Sequence, residues 1–278
     1  MTPIRPTRPA AALLFRLAVI ILAATLVIPC LFACNNRPNG DQSTPADGND
    51  RNDGDISVNA EPKKRVAITF DDGPQYYNCE NGETRAIVDE LAKYGFTATF
   101  FVVGNRIWSN DDVLAYAVSK GNEIGIHGYT HENYYDTCTD SVYQEELQKT
   151  LNAIKRVIPD YEVRLMRPVG GRITEERIRT CPYAVINWSV DSDDWNNKYV
   201  PGTTDEENAA KIETIVNNVM NNVSDGDIIL MHDIWSNTYD AVVILLARLK
   251  EEGYEVVTVS ELLGDSLHAG EEYFSANK

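Results

Sequence analysis

The sequence predicts an α/β fold, a distorted (β/α) barrel of about seven parallel strands, and three observations predict it. Short apolar, β-branched runs alternate with longer amphipathic ones. The strand candidates are apolar almost throughout rather than at every second residue, as expected for strands covered on both faces. About seven such units fit within some 200 residues, a density that suits a barrel or partial barrel. An open doubly wound sheet is the alternative. No internal repeat is present. The strand candidates are residues 66–70, 98–103, 123–126, 164–167, 184–190, 227–231 and 255–259. The helix candidates are residues 83–94, 111–119, 142–157, 175–180, 207–223 and 239–252.

These elements place the folded region at residues 63–265, with a polar tail at 266–278. What precedes them reads differently. Arg5 and Arg8 form a short basic region, and residues 17–33 are almost wholly apolar, the pattern of a secretory signal. The stretch ends in Leu31-Phe32-Ala33-Cys34, which resembles the bacterial lipobox. That resemblance implies lipidation at Cys34, although Phe32 is larger than the residue usual there. The alternative is an uncleaved anchor. Residues 17–33 sit at the lower limit of about 17 residues for a spanning helix, and Pro29 weakens them. Either reading of residues 1–34 tethers the remainder to the membrane on its outer side. Residues 35–62 are rich in Asn, Asp, Gly, Pro and Ser, bury too little to offset their ordering entropy, and read as a leash with a reach of roughly 30 Å.

The chain of 278 residues carries a formal charge of -17. Residues 1–33 hold three arginines and no acids, so the rest has 22 basic and 42 acidic residues, a net of -20. Such a chain repels nucleic acid, which is not expected as a partner. Hydrophobic residues make up 43%, enough for a substantial core.

The unusual residues recur at one place in each unit. Asp71 and Asp72 follow the first strand candidate, and His127 and His131 the third. Residues from Arg167 to Gly171 close the fourth, those from Asp191 to Trp195 follow the fifth, and His232 and Asp233 follow the sixth. In a parallel α/β barrel the C-terminal strand ends share one rim, so these residues are expected to converge. His127-Gly128-Tyr129-Thr130-His131 offers two imidazoles, and two His with one carboxylate form a common catalytic zinc set that leaves a position open. The carboxylate is expected from Thr69-Phe70-Asp71-Asp72-Gly73-Pro74, where adjacent acids can divide metal binding from proton transfer. Taken alone, a His-x-x-x-His pair is more often a solvated helix face and Asp-Asp-Gly-Pro a turn. Their shared position at strand ends raises both above that reading. A purely structural zinc, with four protein ligands, is the remaining alternative.

Together these segments resemble the polysaccharide deacetylase family with the NodB homology domain, carbohydrate esterase family 4. The match spans about residues 65–263. Five motifs occur in order: residues 69–74, 127–131, 167–171, 191–195 and 230–232. The resemblance implies a NodB-like fold and a hydrolase of carbon-nitrogen amide bonds that takes acetyl groups from a carbohydrate polymer. It implies Asp71 as general base, with Arg167 orienting it and holding it ionised. Asp72, His127 and His131 are implied as ligands of Zn2+, with Co2+ or another divalent transition metal as a substitute. His232 is implied as general acid, held by Asp194. Trp195 and Leu230 are implied to line an acetyl pocket, and the Gly170 N–H to serve the oxyanion. Two positions depart from the pattern: Gly128 stands where Ser or Thr is usual and Val169 where Pro is common.

The expected activity is removal of N-acetyl groups from N-acetylglucosamine-type residues of a cell-wall polymer such as peptidoglycan or a chitin-like chain. An O-acetyl esterase on xylan or other wall polymers, or a non-catalytic carbohydrate-binding lipoprotein of the same fold, are the alternatives. A monomer is expected, outside the cytoplasm and tethered to the cell membrane. Tyr76, Tyr77, Tyr129, Tyr134, Tyr135 and Trp235 are loop aromatics, about half of them expected to be packing residues and the rest available to sugar faces. Trp188 is expected in the core and His268 in solvent. Cys79 and Cys138 are candidates for a disulfide, and Cys181 for a buried thiol.

Overall fold

The computed structural model describes residues 63–75, 83–108 and 112–277. The signal with Cys34, the leash, Tyr76, Tyr77 and Cys79 with its expected bridge to Cys138 all lie outside the described residues. Among the described residues, no helix is long and apolar enough to cross a membrane.

The first strand is central. β1 (Lys64–Asp71) is buried on both faces from Val66 onward. On one side it pairs with β2 (Thr99–Val102). On the other its C-terminal half pairs with β7 (Ile228–His232) and its N-terminal half with β8 (Tyr254–Val257). β2 continues to β3 (Glu123–Ile126), β4 (Leu165–Met166), β5 (Ala184–Ile186) and β9 (Glu272–Tyr273), while β6 (Val190–Asp191) lies beyond β7. Every named strand pair is parallel. The path runs from β6 to β9 as an open, curled sheet of nine strands, in place of the seven expected.

Two differences explain that count. Residues 184–190 read as one strand because Val185, Ile186, Trp188 and Val190 are β-prone and outweigh Asn187 and Ser189, yet they make two. β5 joins β4 and β6 joins β7, on opposite flanks of the sheet. Trp188 lies in the link between them and is only partly buried. The expected tail contributes β9, where buried Tyr273 anchors the chain beside β5. His268 is exposed.

The helices are α1 (Glu83–Tyr94), α2 (Val113–Ser119), α3 (Asp140–Val157), α4 (Glu175–Thr180), α5 (Asp205–Met220), α6 (Ser236–Glu251) and α7 (Val259–Leu263). Four begin at threonines whose hydroxyls accept an orphan N–H: Thr139, Thr174, Thr204 and Thr258. Each such cap contributes about 1 kcal/mol. α6 buries Ala241, Val242, Leu245, Leu246 and Leu249 as one apolar stripe, the spacing that aims a helix at a sheet.

The pleat of β1 then divides its side chains. Val66, Ile68 and Phe70 join the large core under the helices, whereas Ala67 joins a smaller cluster on the other face with Phe101, Leu165 and Ile186. Side chains two apart share a face, so Thr69 and Asp71 follow Ala67 inward.

Candidate metal-dependent hydrolase site

Strand register builds the site. Asp71 is the Cα partner of His232 on β7, which sets those two residues side by side at the C-terminal end. Ile126 is the partner of Met166 on β4, so His127 and Arg167 leave adjacent strands together. Leu230 pairs with Asp191 on β6, bringing the loop that carries Asp194 and Trp195 to the same end.

Arg167 is wholly buried, yet each of its three side-chain nitrogens is hydrogen-bonded. Its Nη1 donates to Asp71 Oδ1 at 2.8 Å and to Thr69 Oγ1 at 2.7 Å. Its Nε and Nη2 donate to the carbonyls of Ile186 and Asn187, each at 3.0 Å. The guanidinium stacks over Phe101 at 4.4 Å. A buried cation needs such complete pairing to offset its desolvation. The β5–β6 link therefore serves the site by offering the Asn187 carbonyl.

Asp72 and the two imidazoles meet beside Asp71. The Nε2 atoms of His131 and His127 lie 2.9 and 3.5 Å from Asp72 Oδ1, and the three ligand atoms lie within 4.8 Å of one another. Oδ1 is buried and receives no hydrogen bond among the described residues. Tetrahedral ligation at 2.0–2.2 Å puts donor atoms roughly 3.4 Å apart, so these side chains fit a metal ion with little rearrangement. Burial alone would raise the Asp72 pKa. Contact with His131 and the charges of His127, His131 and His232 outweigh it and hold that carboxyl well below the usual range. Burial lowers the His127 pKa against the pull of Asp71 and Asp72, which favours the neutral imidazole a metal needs. Its Nδ1 is 2.9 Å from the Arg167 carbonyl. That acceptor requires the proton on Nδ1 and leaves the Nε2 lone pair to the site.

His232 is held differently. The Asp194 carboxylate, itself fully buried, receives the His232 backbone N–H at 2.7 Å, the Thr238 hydroxyl at 2.7 Å and the His232 ring through Nδ1 at 2.8 Å. Burial would lower the His232 pKa. The hydrogen bond to Asp194 and the charges of Asp194, Asp71 and Asp72 overcome it and push the value up to about 9. The two flanking imidazoles thus serve opposite ends, one kept neutral and one kept charged.

Residues 58–184 match the polysaccharide deacetylase family profile. The chain is 34% identical over 215 residues to the peptidoglycan-N-acetylglucosamine deacetylase PgdA of Listeria monocytogenes, covering 77% of this chain and 42% of that protein. It thus spans about two fifths of that relative's length. A peptidoglycan-N-acetylglucosamine deacetylase of Bacillus cereus is 34% identical over 209 residues, covering 72% of this chain and 89% of the relative. The chain belongs to the polysaccharide deacetylase family. The solved structure of T48 deacetylase with substrate agrees, superposing with a TM-score of 0.66 at 30% identity over 76% of this chain and 96% of the other.

Within this polysaccharide deacetylase domain the remaining expected site residues occupy distinct settings. Gly170 is exposed in the short turn Val169–Gly171, at φ 61°. Trp195 is 48% exposed beside Asp194, and Leu230 is 5% exposed on the same strand face as His232. Of the loop aromatics, Tyr135 is buried and Tyr134 exposed.

Arg106 and Glu146 escaped sequence reasoning. Arg106 donates to the Asp72 carbonyl, and its place just beyond β2 repeats the strand-end rule that found the others. Glu146 holds the loop from His127 to His131 from within α3, where a helical glutamate gives no signal. Asp233 was visible at a strand end but had no role. It is buried, accepts the Thr84 hydroxyl at 2.6 Å, and lies so close to Gly73 that a Cβ there would sit 2.3 Å from its Oδ2. Only glycine lets the ligand segment pass. Burial pushes the Asp233 pKa up to about 7, with Thr84 opposing and Asp72 reinforcing the shift.

Proposed function

We propose that this chain is a zinc-dependent hydrolase that removes N-acetyl groups from N-acetylglucosamine-type residues of a cell-wall polysaccharide such as peptidoglycan, releasing acetate. One observation carries the reading: a carboxylate fixed by a buried arginine and an imidazole fixed by a buried aspartate flank an Asp-His-His cluster at one rim of the sheet. The names of the relatives extend it to peptidoglycan.

Hydrolysis of an acetamide must move two protons and stabilise one oxyanion. Asp71 takes the proton of the attacking water, its Oδ1 held by Arg167 so that the other oxygen is free to act. His232, protonated through Asp194, gives a proton to the departing sugar nitrogen, which would otherwise leave as an unstable amide anion. The Gly170 N–H donates to the carbonyl oxygen as it gains charge. Trp195 and Leu230 border the acetyl methyl. Asp72, His127 and His131 would hold the zinc ion, which supplies Lewis acidity, lowering the pKa of water and drawing charge from the carbonyl oxygen. Arg167 and Asp194 act through their partners as positioning residues.

The basic and apolar N-terminus with Cys34 supports a lipoprotein outside the cytoplasm, its domain reaching the wall on the leash. Radiolabelled fatty acid that is incorporated by the chain but not by a Cys34→Ala variant tests that placement.

Acetate release is to be measured with the full chain on peptidoglycan, chitin oligomers and acetylxylan, with zinc added and after chelation. Zinc-dependent release from an N-acetylated polymer is expected. Release from acetylxylan alone would establish the esterase instead, and no release from any N-acetylated polymer with zinc supplied would sink the proposal.

A further inference from the structure

The loop from His127 to His131 is held in an unusual shape by a side chain that the proposed chemistry does not use. Gly128 has φ 78° and His131 has φ 63°, both in the left-handed region. A non-glycine residue stays there only when its surroundings hold it. Glu146 of α3, 6% exposed, supplies much of that hold. Its Oε2 accepts the backbone N–H groups of Tyr129 at 2.6 Å and Thr130 at 3.0 Å. Its Oε1 accepts the Thr130 hydroxyl at 2.9 Å and the Asn133 amide at 3.2 Å. On the far side of the loop, the carbonyls of Gly128 and Tyr129 accept the N–H groups of Gly104 and Asn105, each at 2.9 Å.

Every amide bond of the loop's middle is therefore gripped, its N–H end by one carboxylate and its carbonyl end by the turn after β2. Gly128 has no side chain to share the task. The space a Cβ would enter is taken, with Tyr135 Oη at 2.9 Å and Glu146 Oε2 at 3.2 Å. A buried carboxylate that satisfies four donors is costly to place unless all four matter to the fold or to the site. Its target is the short span between two imidazoles whose separation decides whether both reach one ion.

We propose that Glu146 is a positioning residue for the metal centre: by fixing the amides of Tyr129 and Thr130 it sets the aim of His127 and His131, and so the zinc affinity of the chain. The inference rests on the zinc reading of the Asp72, His127 and His131 cluster. Partners that orient metal ligands are typically worth about 10–100-fold in affinity.

The test is a zinc titration of the full chain against a competing chromophoric chelator, with Tm of the zinc-free chain measured in parallel. Glu146→Gln keeps the shape and replaces one acceptor with a donor facing the loop. Glu146→Ala removes the grip. Glu123→Gln is the control, because Glu123 is also buried and multiply hydrogen-bonded but stands at the opposite end of β3. The expected result is a zinc Kd weakened about 10–100-fold by both Glu146 variants and unchanged by Glu123→Gln, which lowers only Tm. If Glu146→Ala fails to fold, Glu146→Gln decides alone. A Kd within about twofold of the unaltered chain in Glu146→Gln, or equal weakening by Glu123→Gln, would overturn the inference while leaving the zinc reading intact. Absence of zinc uptake by the unaltered chain would remove the metal reading, and this inference with it.

Discussion

Buried carboxylates sit at both ends of the sheet, and they are treated in opposite ways. At the N-terminal end, Glu123 accepts the Thr99 hydroxyl at 3.0 Å, the Ser260 N–H at 3.1 Å and the Ser260 hydroxyl. Burial still raises its pKa, with those bonds opposing the shift. At the C-terminal end, Asp72 Oδ1 is buried with imidazole nitrogens before it and no hydrogen bond among the described residues, and its pKa is driven down. The first arrangement finishes a structure, tying α7 to the strand ends. The second turns a carboxylate oxygen without a hydrogen bond toward two imidazole nitrogens, the donor set that suits a metal ion. Hydrogen-bond completeness separates Glu123 from Asp72, whereas the rim's positioning carboxylates, Asp194 and Glu146, are bonded as fully as Glu123.

The contrast breaks most visibly at Asp71. Asp71→Asn keeps the shape and the Arg167 contact but cannot take a proton. Turnover is expected to fall about 10²–10⁴-fold while zinc binding survives. Acetate release and metal content measured on the same sample check this, and full turnover in the variant would move the base elsewhere.

Arg167→Met comes next. It removes a buried cation and leaves Asp71, Thr69 and two carbonyls without their donor. Losing one partner of a buried pair costs about 3–5 kcal/mol, so the denaturant midpoint falls at unchanged slope. A stable variant would mean that water replaces the guanidinium.

Much of this rim is legible in the sequence alone, for a physical reason. Parallel strands are buried on both faces and read as apolar runs, so Asp71, His127, Arg167 and His232 stand out at their ends. Residues 184–190 mislead because their β-prone run hides a link that must cross to the other flank. β9 escapes notice because two residues in a polar segment give no period to detect. Glu146 is invisible because its meaning lies in a contact with a loop 16 residues back in sequence, and a sequence records helical faces but not what stands opposite them. The leash and signal readings concern residues outside the described part.

A smaller effect is expected from His232. Its folded pKa is raised from 6.5 to about 9 in the zinc-free chain. The stability it contributes is fully present below pH 6.5 and is lost as pH rises through 9. At about 1.4 kcal/mol for each pH unit between the unfolded and folded values, the loss is about 3–4 kcal/mol at most. Zinc-free Tm is therefore expected to decline between pH 6.5 and 9, and Asp194→Asn to flatten that decline. A slope unaffected by the Asn substitution would assign the titration to another group.

The smallest effect belongs to the scaffold end. Glu123→Gln retains an acceptor for some of its donors but turns an NH2 group toward Ser260 or Thr99. Leaving one buried polar partner unsatisfied costs about 1–3 kcal/mol, so Tm falls. Because the group stands at the far end of β3 from His127, the rate of acetate release at saturating zinc is expected to match the unaltered chain. A fall in that rate would mean that the two ends of the strand are coupled through β3.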